Sequence, residues 1–160
     1  MKHFSALCAA LSTSVLHLAR LALAGLGLVV LYGVVCRYVF NDAPPYVEQV
    51  ALILVISVAM FGAAAGARDG GHIGLDSLVK VLPPLLRTLT SAVVDLLTLV
   101  FTTILAVGSY DMASSTLHDS IPTLGISEAW RYLPLMIAAI LIFVFAIEHL
   151  LGLVLRAHKS

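Results

Sequence analysis

Long apolar runs broken by short polar clusters dominate the chain, and the lengths of the runs set the first prediction. A helix crosses the hydrocarbon core of a bilayer with about 20 mostly apolar residues. Four stretches approach that length. The first lies near 21–36, bounded by Arg20 and Arg37. The second covers 49–67, opened by Glu48 and closed by Arg68. The third lies near 89–110 and contains Asp95. The fourth lies near 132–155, preceded by Trp130 and Arg131, with Glu148 near its end. Backbone groups in lipid must be satisfied inside their own segment, so these runs predict helices rather than open strands.

The connections between the runs differ in kind. FNDAPPY, from Phe40 to Tyr46, is short, and Pro44 and Pro45 stop any continuous helix there. Between the second and third runs, Leu75, Leu78, Val79 and Leu82 fall at i, i+3, i+4 and i+7, while Asp76, Ser77 and Lys80 face the other way. That pattern predicts an amphipathic helix near 72–82, too short to span and lying in the interface plane. Pro83 and Pro84 end it and can open the third span. Residues 112–130 carry turn formers and the stretch IPTLGIS. At the start, Lys2 and His3 precede FSALCAALSTSVLHLA, which has the outline of a short signal peptide, with Ala22-Leu23-Ala24 as a candidate cleavage site. Ser12, Thr13, Ser14, His17 and Arg20 interrupt that outline, and cleavage near Ala24 would cut into the first span. Residues 1–20 are therefore read as an uncleaved, partly interfacial lead-in.

Composition agrees with the pattern. The 160 residues are 61% hydrophobic and 11% charged, against about 25% charged in a soluble domain. The charges are too few to coat a water-facing surface. Formal net charge is zero, so no basic patch points to nucleic acid. Cys8 and Cys36 match no metal, redox or haem spacing and read as small apolar fillers. The fold class predicted is an all-α membrane protein: a single domain over 1–160 of four transmembrane helices, with the interfacial helix between the second and third.

Charge then orients the bundle. Lys2, Arg20, Arg68, Lys80, Arg87, Arg156 and Lys159 collect on one side, and only Arg37 and Arg131 on the other. The positive-inside bias places both termini in the cytoplasm. The opposite side holds Asp42, Glu48, Asp111, Asp119 and Glu128.

Scarce polar residues in such a chain are the candidates for chemistry. Arg68, Asp69, His72 and Asp76 crowd into nine residues after an uncharged run. Arg68 reads as the anchor of a helix end. Gly70 and Gly71 allow the backbone to turn along the membrane, and His72 and Asp76 share one helix face. A capped turn explains the cluster without a metal, since no third ligand is evident. Asp95 lies well inside its span, where a carboxylate costs about 2.5–3.5 kcal/mol on insertion scales and must find a partner. A structural ion pair with Arg20, Arg68 or Arg87 is expected, with a proton or ion relay as the sharper alternative. Arg37 and Glu48 flank the first outer loop and are expected to pair. Gly62 and Gly66 form a GxxxG that permits close helix approach. Trp130, Tyr132, Tyr38 and Tyr46 sit at outer span ends as an aromatic belt. A haem-bearing membrane anchor of a redox enzyme is the rival from another class, and His17 with His149 would be its one weak axial pair. No catalytic triad, HExxH or phosphate loop is present, so enzymatic chemistry is not expected.

In order along the chain, RYVFN (37–41), YVEQVA (46–51), FGAAAGARDGGHIGLD (61–76), LPPLLR (82–87), VDLL (94–97), IPTLGIS (121–127) and the Trp130–Tyr132 stretch resemble one known family. It is the small, DctQ-like membrane subunit of tripartite ATP-independent periplasmic (TRAP) transporters. The resemblance implies a partnership with a large membrane subunit and a periplasmic substrate-binding protein. It further implies import of organic acids driven by sodium, with the substrate and sodium sites in the large subunit. This chain, in the bacterial inner membrane, would brace that subunit and hold no cofactor of its own. Asp119, Glu128 and IPTLGIS are the candidate contacts for the binding protein. The chain departs from the family's habit at Tyr46 and Ser57, where Trp is common, at Gln49, where a second acid is common, and at Leu52, where an Arg is common.

Overall fold

The computed structural model describes residues 2–69 and 84–157, with side chains described for 4–68, 86 and 89–153. Among the described residues there are four long helices, one 3-10 turn and no strand. Helix α1 spans Lys2–Val39 (38 residues), α2 Pro45–Asp69 (25 residues), α3 Pro84–Ser115 (32 residues) and α4 Leu133–Ala157 (25 residues). The 3-10 turn Glu128–Arg131 leads into α4. All four helices are long and apolar enough to cross a membrane. The interfacial helix expected near 72–82, with Gly70, Gly71, His72, Asp76 and Lys80, lies outside the described residues.

Helix α1 is longer than the span read near 21–36. The stretch read as a lead-in continues into that span as one helix, about 57 Å long at 1.5 Å per residue. Its polar residues do not break it, because they bond to their own helix. The hydroxyls of Thr13 and Ser14 donate to the carbonyls of Ala9 and Ala10, each at 2.9 Å. The helix ends where Asn41 takes φ 50°, a left-handed conformation that asparagine tolerates better than most residues. The Asp42 amide then donates back to the Cys36 carbonyl at 3.1 Å. Pro45 opens α2 and Pro84 opens α3, in the first turn, where proline's missing donor costs nothing.

The helices form two antiparallel hairpins, α1 with α2 and α3 with α4, joined chiefly through α2 against α4. Helix α1 also touches α4, whereas α3 leans on α4 and the 3-10 turn. Small residues let three helices meet closely. Val15 of α1, Ala64 of α2 and Ala138 of α4 form a core cluster, with Met60, Phe61, Leu141 and Ile142 packed around it. Between α3 and α4 the buried seam is polar. Asp95, Thr102 and Ser109 are buried at i, i+7 and i+14 of one stripe. The two hydroxyls of that stripe return to carbonyls of α3: Thr102 to Thr98 at 2.7 Å and Ser109 to Leu105 at 2.6 Å. Each buried donor is thereby satisfied without leaving its helix.

Close helix approach falls elsewhere than the GxxxG expected to permit it. A Cβ built on Gly33 would stand 2.7 Å from Cγ1 of Val47, so it is Gly33 that lets α1 and α2 touch. A Cβ on Gly62 or Gly66 would meet nothing within 4 Å. Gly62 is half-buried and Gly66 exposed.

Candidate functional site

Polar side chains that look scattered in sequence gather at the two ends of the bundle. One end, called here the terminal end, holds the start of α1 and the close of α2 and α4. The other, the hairpin end, holds the α1–α2 and α3–α4 connections.

At the terminal end Arg68 closes α2, and its side chain reaches two other helices. Its Nε donates to Oε2 of Glu148 at 3.2 Å and its Nη2 to Oε1 at 3.5 Å, a bidentate grip on α4. Nη2 also donates to the Ser5 carbonyl of α1 at 3.3 Å. The two side chains are only 21% and 19% exposed, so the charges are largely withdrawn from solvent and compensate one another. Cys8, fully buried, lies against the same carboxylate. The anchoring role read for Arg68 is thus accompanied by a specific partner that the sequence reading left at the edge of the fourth span.

Asp95 corrects a further expectation. None of Arg20, Arg68 and Arg87 is shown as its partner: Arg68 is committed to Glu148, Arg20 is exposed on α1, and the Arg87 side chain lies outside the described residues. Instead Asp95 Oδ2 lies 2.7 Å from Nδ1 of His149. The Asp95 side chain is 7% exposed and the His149 side chain 60%. The reason is the rotation of the helix. Successive residues point about 100° apart, so Glu148 can face α2 and α1 while His149 reaches α3. His149, read as half of a weak haem pair with His17, has its Nδ1 committed to this carboxylate, and His17 is exposed on α1.

At the hairpin end Arg37 and Glu48 do pair across the first connection, Nη2 to Oε1 at 3.4 Å. Both are largely exposed, at 59% and 75%. One turn deeper in α1, the Tyr32 and Tyr46 hydroxyls meet at 3.0 Å. Arg131 links the hairpins. Its Nη1 donates to Oε1 of Glu128 at 2.7 Å, and its Nη2 donates to Oε1 of Gln49 on α2. Gln49, at a position where an acid was noted as the common residue, therefore serves as the neutral acceptor for this arginine. Trp130 and Tyr38 are exposed beside these groups, as an aromatic belt requires.

The IPTLGIS stretch is a built loop. Ile121 donates to the Ile126 carbonyl at 2.8 Å, and Glu128 to the Asp119 carbonyl at 2.8 Å. Gly125 takes φ 66°, and its amide donates to the Ile121 carbonyl at 2.9 Å. The Ser127 hydroxyl donates to the Leu117 carbonyl at 2.8 Å and accepts from the Ala129 amide at 3.2 Å, capping the 3-10 turn. Asp119 is exposed, and Glu128 is paired with Arg131.

Among the described residues no three of His, Cys, Asp and Glu converge on a point where a metal could sit. His72 and Asp76 lie outside the described residues.

Among the described residues, four apolar helices of spanning length, with the Arg68–Glu148 and Asp95–His149 pairs between them, mark a multi-pass membrane protein. Comparison with known proteins sharpens this class. The family model for the DctQ component of tripartite ATP-independent periplasmic transporters matches residues 26–156. Two Haemophilus influenzae proteins assigned as TRAP transporter small permease proteins are similar to the chain. One is 28% identical over 127 residues, 79% of this chain and 77% of the relative. The other is 27% identical over 130 residues, 81% of each. The C4-dicarboxylate TRAP transporter small permease protein DctQ of Vibrio cholerae is 31% identical over 78 residues, 49% of this chain and 34% of that protein. The chain belongs to the DctQ family of TRAP transporter small permease subunits, and it is a transporter component rather than an enzyme.

Proposed function

We propose that this subunit is a fixed brace in a sodium-coupled importer of organic acids. It sits in the bacterial inner membrane with both termini cytoplasmic. Its partners are a large membrane subunit, which carries the substrate and sodium sites, and a periplasmic substrate-binding protein. The observation that supports this reading best is where the polar groups go. Arg68, Glu148, Asp95, His149, Arg131 and Gln49 bind one another between helices, and they tie the bundle at both ends. A scaffold needs that rigidity; a substrate site would need polar groups held open toward a cavity. The distribution of Lys and Arg supports cytoplasmic termini, and the name of the Vibrio relative supports dicarboxylates as the substrate class. Asp119, exposed on the hairpin end, is the candidate docking charge for the binding protein.

Co-expression with the cognate large subunit tests the partnership. A tag on this chain should recover the large subunit in a defined ratio, and cysteine labelling should reach both ends of the chain only from the cytoplasmic face. Recovery of this chain alone, or labelling of its two ends from opposite faces, would overturn the reading.

A further inference from the structure

Arg20 is an arginine that the bundle leaves unpaired. Among the described residues Arg37 holds Glu48, Arg68 holds Glu148 and Arg131 holds Glu128, whereas Arg20 is exposed and makes no hydrogen bond or ion pair. Its depth follows from the register of α1 against α2. Gly33 stands opposite Val47 and Gly25 opposite Leu54, and Val15 shares a core cluster with Ala64. The same register sets Arg20 level with Ala59. On α2 the paired charges Glu48 and Arg68 are 20 residues apart, about 30 Å of helix, which matches the thickness of the hydrocarbon core. The two ionic layers therefore mark its edges. Ala59 lies nine residues from Arg68, about 14 Å, so Arg20 leaves α1 near the middle of the apolar layer and not at its boundary.

A cation at that level persists by reaching toward the surface, or by drawing water and headgroups inward. Side chains lean toward the N-terminus of their helix, so the stem of Arg20 carries its guanidinium toward the terminal end, by about one turn. The rest of the distance is lined with polar groups. His17 is exposed one turn nearer that end, and Thr13 and Ser14 one turn further. Thr13, His17 and Arg20 fall at i, i+4 and i+7 of one face, while Cys8, Ser12, Val15 and Ala19 are buried toward the bundle. The exposed face of α1 thus carries a polar ladder from the terminal end down to Arg20. An acid on a neighbouring spanning segment would meet Arg20 at its own level and would need no ladder; a headgroup descending from the surface does. We propose that Arg20 and His17 bind the phosphate of an anionic phospholipid, drawn below its neighbours along this face in the leaflet at the terminal end. The guanidinium fork matches phosphate oxygens, the imidazole supplies a further donor, and a lipid without its own amine brings the charge that Arg20 lacks. The site requires that the bundle cross a bilayer; it is independent of the brace reading.

The test uses the full chain purified in detergent, mixed with phosphatidylglycerol or phosphatidylcholine, with bound lipid counted by native mass spectrometry. The wild type should retain phosphatidylglycerol in preference. Arg20→Gln should bind it about 5-fold more weakly, one basic residue's share of the attraction to anionic lipid. The lipid-free variant should unfold at the wild-type temperature, because Arg20 has no partner within the described chain. Arg37→Gln removes the same charge from a paired residue and should leave retention unchanged. Equal retention by Arg20→Gln and the wild type, equal binding of the two lipids, or an equal loss in Arg37→Gln would overturn the proposal. So would a lower unfolding temperature of lipid-free Arg20→Gln, or displacement of the lipid by millimolar inorganic phosphate, which would make the site one for a soluble anion. The same variant is then co-expressed with the large subunit. Loss of that subunit with lipid retention unchanged would put a partner's acid at Arg20 and overturn the lipid site.

Discussion

Glu148 and His149 are consecutive on α4 and hold opposite neighbours. Glu148 takes the Arg68 guanidinium of α2 at 3.2 Å, and His149 takes the Asp95 carboxylate of α3 at 2.7 Å. Arg68 also reaches the Ser5 carbonyl, so this dipeptide and its partners connect all four helices near one end. A single residue could not do this, because a helical side chain faces one way; two adjacent ones cover about 100°.

Removing Arg68 should loosen the terminal end. Arg68→Ala leaves Glu148 partly buried without its counter-charge, and a charged group that loses its hydrogen-bond partner costs about 1–3 kcal/mol. Thermal unfolding in detergent should show a lower Tm. Arg68→Lys should recover only part, since an ammonium cannot grip both carboxylate oxygens in the plane of a guanidinium. A full recovery by lysine would show that the bidentate geometry contributes nothing.

Asp95 and His149 should behave as a unit. His149→Ala strands a buried carboxylate and should lower the stability of the chain by about 1–3 kcal/mol. Replacing both, as Asp95→Leu with His149→Phe, removes the pair together with its desolvation cost, and should restore or exceed wild-type stability. The coupling is read from a double-mutant cycle; additive single effects would mean the two side chains act independently.

Arg37 and Glu48 should matter less. At 59% and 75% exposure the pair is worth no more than about 1 kcal/mol. Arg37→Glu or Glu48→Arg should each cost a fraction of that. The double reversal should return the chain to its starting stability, and all of these effects should shrink as salt is added.

Glycines on the two faces of the α1–α2 hairpin should respond oppositely. Gly33→Ala places a methyl 2.7 Å from Val47 Cγ1, so Val47 or the helix must shift, and about 1 kcal/mol or more is lost. Gly62→Ala and Gly66→Ala meet nothing within 4 Å and gain about 0.5–1 kcal/mol each from reduced backbone freedom. Unfolding of the isolated chain measures both. A stabilising Gly33→Ala would refute the close contact.

The helices were legible from hydropathy because a bilayer sets a minimum apolar length for every spanning segment, and each of the four runs falls within one helix or within a few residues of it. Helix α1 runs past the stretch read near 21–36 because Ser12, Thr13 and Ser14, which interrupt the outline of a signal peptide, do not interrupt a helix: Thr13 and Ser14 bond back to the carbonyls of Ala9 and Ala10. Arg37 with Glu48 was legible because a short connection brings its own flanks together. Asp95 with His149 was not, because they are 54 residues apart, and periodicity shows which face a residue occupies without saying which helix covers it. A signal was nonetheless present: Glu148-His149 is an ionisable dipeptide inside the last apolar run, and a polar residue at membrane depth needs a partner at the same depth. The GxxxG was legible as a spacing only. Spacing permits approach, but here the approach within the chain occurs at Gly33, opposite Val47.

Transport in proteoliposomes tests the brace most directly. The large subunit, the binding protein and this chain are reconstituted together and singly, and sodium-driven uptake of a labelled dicarboxylate is followed. A brace requires uptake by the three together, little or none when this chain is left out, and none by this chain alone. Uptake by this chain unaided, or undiminished uptake without it, would contradict the brace.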